Sequence, residues 1–364
     1  MPSQVYYDLR EQLDQYCVGF PAAESGVEMK ILEKLFTEEE ARMFLNLSMM
    51  LETPEAVAQR LGRDPNAVAS LLERMADKGL IFRLKKGVSA KYGAVPFVIG
   101  SWDYQIKHIN KEFALLFDEY FHETFRKQAI AQAPPLRTVP VNKSIDYSWP
   151  VAPYEDIREI LKSKDRISVA KCICRTSQGL LDKGCEKPLE VCFQFGNHAQ
   201  YYVDRGVGRF ITQEEALGII NACEEAGLVP QPFVAQEVAG MCNCCGDCCE
   251  ILRSIKTNPR PAEKVFTNYY AAVDRDVCSA CETCEDRCQM EAIKLGADGV
   301  AEVDLDRCIG CGLCTTTCPD KAVTLRRKPE SDCQVPPVSG QEYLMQLASS
   351  RGKSLIPLAV TRKL

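Results

Sequence analysis

Several things are scarce in this sequence, and each scarcity narrows the field. No window reaches the roughly 18 uninterrupted apolar residues that a membrane-spanning helix needs, so no span is expected. Residues 1–20 carry Asp8, Arg10, Glu11 and Asp14 and lack the apolar stretch of a secretory signal. A reducing, cytoplasmic setting is therefore expected, in which thiols stay available as ligands. Positive charge is not in excess: 44 Lys and Arg stand against 50 Asp and Glu, for a net charge of −6. No chain-wide basic field draws the protein to nucleic acid or anionic lipid. No G-x-G-x-x-G follows a strand-like segment, and neither a Walker A sequence nor a nucleophile elbow is present. An independent enzyme of those classes is not expected. Histidine is down to three residues, so imidazole-rich metal sites are excluded as well.

Cysteine is the opposite case. Of 20 cysteines, 18 lie between Cys172 and Cys318, in C-x-C, C-C and C-x-x-C spacings. Neighbouring cysteines rarely reach disulfide geometry with each other, so this pattern points to metal centres.

The 364 residues suffice for two or three domains, and the alternation of helical and strand-like segments reads as a multidomain α+β protein. Residues 1–100 form the first domain. Thr37 with Glu40 is a capping box ahead of Phe44, Leu47 and Leu51. Thr53-Pro54 opens a second helix that Gly62 stops, and Asp64-Pro65 opens a third with Val68, Leu71, Leu72 and Met75 on one face. Leu80–Leu84 and Lys91–Val95 read as two strands around Lys85-Lys86-Gly87. Three helices and a two-stranded wing resemble a winged helix-turn-helix domain. Residues 60–91 hold eight basic side chains against three acidic ones, net +5, so phosphate contacts are conceivable chemistry there. The third helix nevertheless opens Asp64-Pro65-Asn66-Ala67, with few long side chains to read bases.

Residues 101–133 form a long amphipathic helix, Asp103 to Gln132, rich in aromatics. It is expected to pack on its own chain or on a twin subunit in a homo-oligomer. Residues 134–153 are a proline-rich linker, 154–255 a cysteine-rich α/β domain expected to bind metal, 271–328 a second cysteine module and 329–364 a tail with one short helix. Within the cysteine-rich domain, Thr212 and Glu215 cap a helix that places Cys223 on its apolar side as a core residue.

In the second module, Cys278, Cys281, Cys284 and Cys288 read C-x2-C-x2-C-x3-C, and Cys308, Cys311, Cys314 and Cys318 repeat that spacing 30 residues later. Ala292-Ile293-Lys294-Leu295 matches Ala322-Val323-Thr324-Leu325. This duplication is the signature of a bacterial two-cluster ferredoxin. Three cysteines of one motif wrap one cube and the fourth reaches across to the other. One [4Fe–4S] cluster should use Cys278, Cys281, Cys284 and Cys318, and the second Cys308, Cys311, Cys314 and Cys288. Pro319 follows Cys318 as is usual, but Gln289 follows Cys288. A structural zinc site would need four ligands and rarely uses this duplicated spacing.

The central domain adds Cys172, Cys174, Cys185 and Cys192, then Cys242, Cys244, Cys245, Cys248 and Cys249. Nine thiols exceed one site and suit one or two metal centres. Three readings stand: a further Fe–S cluster, a structural Zn, or redox-active thiols without metal. Arg175 and Lys171 beside the first pair would stabilise thiolates in each. His198, near Cys192, is expected to be a packed or surface residue rather than a ligand. Cys244-Cys245-Gly246 is similar to the CCG segments of heterodisulfide-reductase-like subunits, but the upstream cysteine spacing of that pattern is missing.

The whole chain resembles a group of 4Fe-4S dicluster proteins of anaerobic bacteria and archaea. The likeness rests on Cys172-Ile-Cys174-Arg175, Cys185, Cys192-Phe-Gln-Phe-Gly196, Gly206-Val-Gly-Arg209, Glu214-Glu-Ala216, the Cys242–Cys249 run and the duplicated motif. It implies anaerobic electron transfer. The expected function is an iron–sulfur electron carrier, or an electron-transfer subunit of an anaerobic oxidoreductase, with redox proteins as partners and the N-terminal domain for docking. Two alternatives remain: a redox-sensing regulator that binds DNA, and an oxidoreductase whose chemistry sits at a central metal centre.

Overall fold

The computed structural model describes residues 2–127, 134–148 and 150–362. Helices and small sheets alternate through the chain, an α+β composition. It divides into two units: residues 1–128, 204–207 and 344–364 form one, and 129–203 with 208–343 form the other. No helix among the described residues is long and apolar enough to cross a membrane.

The first unit opens with α1 (Gln4–Gln15) and α2 (Val27–Leu35). Then come α3 (Glu38–Leu45), α4 (Pro54–Leu61), α5 (Pro65–Lys78) and the hairpin β1 (Phe82–Lys86) with β2 (Ser89–Gly93). The local signals explain the boundaries. Thr37 and Glu40 form both halves of a capping box, and Thr53 and Asp64 cap the next two helices with Pro54 and Pro65 in the first turn. Gly62 and Gly79 end them in the left-handed region. Val68, Leu71, Leu72 and Met75 are buried in the core, as the helical period requires.

The long helix expected from Asp103 to Gln132 is shorter. A 3-10 turn spans Asp103–Lys107, and α6 (Lys111–Tyr120) starts only where the Asn110 side chain accepts from the Phe113 N–H (2.9 Å). A polar cap at Asn110 competes with continued helix, which the aromatic periodicity concealed. Helical turns continue to Lys127, and the expected end at Gln132 lies outside the described residues. Phe113, Phe117, Tyr120, Phe121 and Phe125 are all buried within this unit, with Trp102 stacked on Phe117 at 3.6 Å.

In the second unit, α7 (Ile157–Lys162) precedes β3 (Ile167–Lys171), α8 (Ile173–Leu180), β4 (Glu190–Phe195), α9 (Gly196–Asp204), β5 (Gly208–Ile211), α10 (Gln213–Glu225), β6 (Val229–Pro232), β7 (Gly240–Cys244) and α11 (Glu250–Lys256). The strands form one antiparallel sheet in the order β5-β3-β4-β7-β6. Ala216 and Ile220 of α10 pack with Phe193, Phe195 and Met241 in an aliphatic core. One turn further along α10, the core is made of Cys223, Val191, Leu228, Cys245 and Cys248. The cysteine module follows with β8 (Tyr269–Val273), the single turn α12 (Thr283–Arg287), β9 (Ile293–Leu295), β10 (Ala301–Val303) and β11 (Val323–Arg327). β8 pairs with β11, and β9 with β10.

The proline-rich stretch is not a free connector. Arg137 N–H donates to Pro232 O (3.0 Å), Thr138 N–H to Phe266 O (3.0 Å) and Val141 N–H to Cys311 O (3.0 Å). Val139 and Val141 are buried, so residues 134–148 strap the sheet to the cysteine module. The tail also differs from expectation. It holds α13 (Gly340–Ser350) and α14 (Leu358–Arg362), and its last part belongs to the first unit. There Arg351 and Lys353 hold the buried Asp14 (3.1 and 2.9 Å), and Leu358 N–H donates to Gln12 Oε1 (3.0 Å). Such long-range returns leave no local sequence mark.

Candidate metal centres

The duplicated motifs fold as two loops that mirror each other in backbone conformation. Ala280 and Gly310, Glu282 and Gly312, and Glu291 and Lys321 all have positive φ, each pair 30 residues apart. Turning the chain back between cysteines in so few residues requires the left-handed region. In the second loop glycine is also a matter of space. A Cβ on Gly310 would stand 2.2 Å from Tyr269 O, and one on Gly312 would stand 2.1 Å from Ser144 Oγ. The first loop faces solvent and carries Ala280 and Glu282 instead, with Cys281 exposed.

Four thiols line each of two small cavities. Cys278, Cys281, Cys284 and Cys318 surround one. Cys288, Cys308, Cys311 and Cys314 surround the other. Each cavity thus takes three cysteines from one motif and the last from the other. The rest of the lining is mostly apolar, with Leu295, Ala301 and Val323 in the first beside Ser279, Glu282 and Asp320, and Met290, Ile293 and Ile309 in the second beside Gln289. Backbone N–H groups point at the sulfurs. Ala301 donates to Cys278 Sγ (3.5 Å), Ala271 to Cys308 Sγ (3.4 Å) and Ala292 to Cys288 Sγ (3.2 Å). Ala271 and Ala301 each precede a motif by the same interval, yet each serves the other motif's first cysteine. Thiols buried in apolar surroundings resist ionisation, and burial pushes Cys311 up to about 12. Four thiols, apolar walls and amide donors at sulfur fit an iron–sulfur cube, whose iron would offset the charge of four thiolates.

Sheet geometry divides the nine central thiols in two. Phe193 pairs with Met241 on the α10 face of the sheet. Side chains alternate along a strand, so Cys192, Cys242 and Cys244 project from the opposite face. Six thiols act on one another electrostatically, Cys242 with Cys192 and Cys244, Cys249 with Cys244 and Cys174, and Cys174 with Cys172, while Cys172 also packs against the cluster of Cys223, Cys245 and Cys248. Bonds from Cys192 and Cys244 hold Cys242 well below the ordinary thiol range, and bonds from Cys174 and Cys244 do the same for Cys249. Cys174 and Cys244, which donate, are raised.

The second group is Cys185, Cys245 and Cys248, whose sulfurs all lie within 4.8 Å of one another. The sulfur of Cys185 is 3.9 Å from that of Cys245 and 3.6 Å from that of Cys248. A hydrogen bond from Cys248 holds Cys245 down to about 5 against the opposing effect of burial, with Arg175 assisting. Arg175 is 2 % exposed; its Nη1 donates to Cys245 Sγ (3.6 Å) and its Nη2 to Asn243 O (3.1 Å). Lys171, expected beside it, is exposed. His198 is half-buried and stands in neither group of sulfurs described; burial pushes its imidazole down to about 4. Cys223 is a buried core residue, its thiol pushed up to about 12 by burial.

The residue after Cys288 explains a departure in the sequence. Gln289 Oε1 accepts from Gly246 N–H (2.7 Å), between Cys245 and Cys248. Arg287 donates to the last carbonyls of α10, Glu224 O and Glu225 O (2.8 Å to the latter). A positive side chain at a helix C-terminus is favourable there. Proline at 289 would lack this amide acceptor.

Comparison with known proteins agrees on the second motif. The 4Fe-4S binding domain family matches residues 301–324, which contain Cys308, Cys311, Cys314 and Cys318. No curated protein and no solved structure matches the chain. The chain therefore carries a 4Fe-4S binding domain of ferredoxin type.

Proposed function

We propose that the protein relays single electrons through two [4Fe–4S] clusters, as a carrier or as the electron-transfer subunit of an oxidoreductase. One cluster is held by Cys278, Cys281, Cys284 and Cys318, the other by Cys308, Cys311, Cys314 and Cys288. The observation that carries this reading is the crossed supply of cysteines to the two cavities. A bound cluster of this type supplies a one-electron donor and acceptor. The chain's own residues set direction. Cys281 is exposed, so the first site meets a redox partner at the surface. The second loop is covered by Tyr269 and Ser144, and Gln289, next to Cys288 at the end of the first motif, bonds to the turn between Cys245 and Cys248. The six-thiol network holds a further iron–sulfur centre in this reading, so electrons pass between that centre and the surface by way of the two cubes.

The first unit is proposed to dock a protein partner rather than DNA. Its winged-helix-like segment spends its basic side chains internally. Arg60 pairs with Glu52, Arg63 with Glu39 (3.2 Å), Lys78 with Glu40 (2.6 Å) and Lys85 with Glu73 (2.8 Å). Arg83 is buried between Glu73 (2.8 Å) and Asp77 (2.7 Å). Few cations are left over for a phosphate backbone.

The test is anaerobic purification with iron and sulfide analysis and EPR of the dithionite-reduced protein. The reading expects at least about eight iron and eight sulfide per chain, with spin coupling between two reduced cubes. Zinc in place of iron at these two sites would refute it.

A further inference from the structure

We propose that Cys185, Cys245 and Cys248 form a separate mononuclear metal site of zinc class with an open fourth position, which takes a thiol as its ligand. The proposal rests on the reading of the central cysteines as metal ligands, and adds a nuclearity, a vacancy and a ligand class.

Distance is the first argument. Sulfurs bound to a single tetrahedral ion at about 2.3 Å lie about 3.8 Å apart. The Cys185 sulfur stands 3.9 Å and 3.6 Å from its two partners, with the whole trio inside 4.8 Å. Sulfurs on different irons of a cube must stand farther apart, because each bonds its own corner. The trio is spaced for one ion.

Separation is the second. Cys244-Cys245 and Cys248-Cys249 are adjacent pairs, yet each pair is divided. Cys244 and Cys249 join the six-thiol network, while Cys245 and Cys248 join Cys185. Cys245 and Cys248 bracket Gly246-Asp247, a two-residue turn that brings both sulfurs to one point. The Lys187 to Asp247 ion pair (2.5 Å) clips the Cys185 loop onto that turn.

The vacancy is the third. Among the described residues, no fourth thiol, imidazole or carboxylate joins the trio at that spacing. Three protein ligands and an open position mark a reactive site, whereas structural zinc sites are closed by four. Cys185 and Lys187 are half-buried and the rest of the stretch 182–189 is exposed, which gives a small molecule a way in.

The ligand class follows from charge and softness. Three thiolates on a divalent ion leave one negative charge, and the buried guanidinium of Arg175 lies against Cys245 to offset it. Its Nε is buried without a hydrogen-bond partner. A thiol that loses its proton on binding brings a soft anionic sulfur to a thiolate-rich ion, beside a cation with a donor to spare.

The experiment uses the full-length protein, purified anaerobically with zinc supplied. Wild type, Cys185→Ser and Cys248→Ala are analysed for zinc, iron and sulfide, with circular dichroism as the check on folding. Wild type should hold one zinc beyond its iron, and both folded variants should lose it with iron unchanged. Cobalt substituted at the site should give tetrahedral thiolate bands that shift on titration with 2-mercaptoethanol. Arg175→Gln should keep the metal but weaken that titration about tenfold or more. Full iron with no zinc in wild type overturns this proposal and leaves the relay standing. Loss of iron and sulfide in Cys185→Ser overturns it too, since the trio would then serve a cluster. Cobalt bands indifferent to 2-mercaptoethanol overturn the open position.

Discussion

The hydrogen bond from Gly246 N–H to Gln289 Oε1 (2.7 Å) ties the end of the first cysteine motif, next to Cys288, to the central thiol turn, and its removal has a calculable cost. Gln289→Ala takes the side-chain acceptor away from the amide of half-buried Gly246. Leaving such a donor unsatisfied costs about 1–3 kcal/mol. At about 1.4 kcal/mol per factor of ten, local opening of the turn becomes about 5- to 150-fold more frequent. Hydrogen–deuterium exchange read at Gly246 should accelerate by that factor in the oxidised protein, while amides of α5 keep their rates. Gln289→Glu retains an acceptor and should restore protection. Gln289→Pro should behave as Gln289→Ala, although proline suits the equivalent place in the second motif. Unchanged exchange at Gly246 in Gln289→Ala would refute the argument, and with it the physical reason given for the missing proline. The reverse contact can be tested from the other side. A Cβ at position 246 would stand 2.5 Å from Gln289 O, so Gly246→Ala should loosen the same joint by displacing backbone.

Other outcomes follow from the same geometry. Cys318→Ala should disturb the site otherwise built by Cys278, Cys281 and Cys284, and Cys288→Ala the site of Cys308, Cys311 and Cys314; EPR of each reduced variant checks which signal is lost. Gly310→Ala combines a φ of 65° with a contact of 2.2 Å to Tyr269 O, and should lower iron content and thermal stability. The cost should exceed the 1–3 kcal/mol of a strained backbone alone; Ala280→Gly, at the matching open position, should be tolerated. In the first unit, burial works to raise the Glu73 carboxyl, but bonds from Lys85 and Tyr92 and the charge of Arg83 hold it below the ordinary range. Its stabilising contribution is therefore present above about pH 4.3 and lost as pH falls through the depressed value. Carboxyl NMR titration should place Glu73 below ordinary glutamates, and Arg83→Met should move it upward.

Local signals carried far in this chain. Thr37, Thr53 and Asp64 mark three helix starts, Gly62 and Gly79 two stops, and all appear where capping chemistry requires. Asn110 was the cap that aromatic periodicity hid, because Phe113 and Phe117 keep the same spacing whether the helix begins at Asp103 or at Lys111. The strap of residues 134–148 and the return of residues 344–362 to the first unit were illegible, since their partners lie far away in sequence.

The same division holds for the cysteines. By itself the sequence determined which thiols belong to the duplicated motifs and which residues cross between them, because ligand spacing within a tight loop is a local property. It also singled out nine central thiols as candidate ligands. Only the tertiary structure decided how those nine are shared. Strand alternation sends Cys244 and Cys245 to different groups, and sheet order brings Cys172 and Cys192 to Cys242, 70 and 50 residues away. No spacing rule records that, because the distances between sulfurs there are set by how the strands pair and not by how far apart the residues stand along the chain.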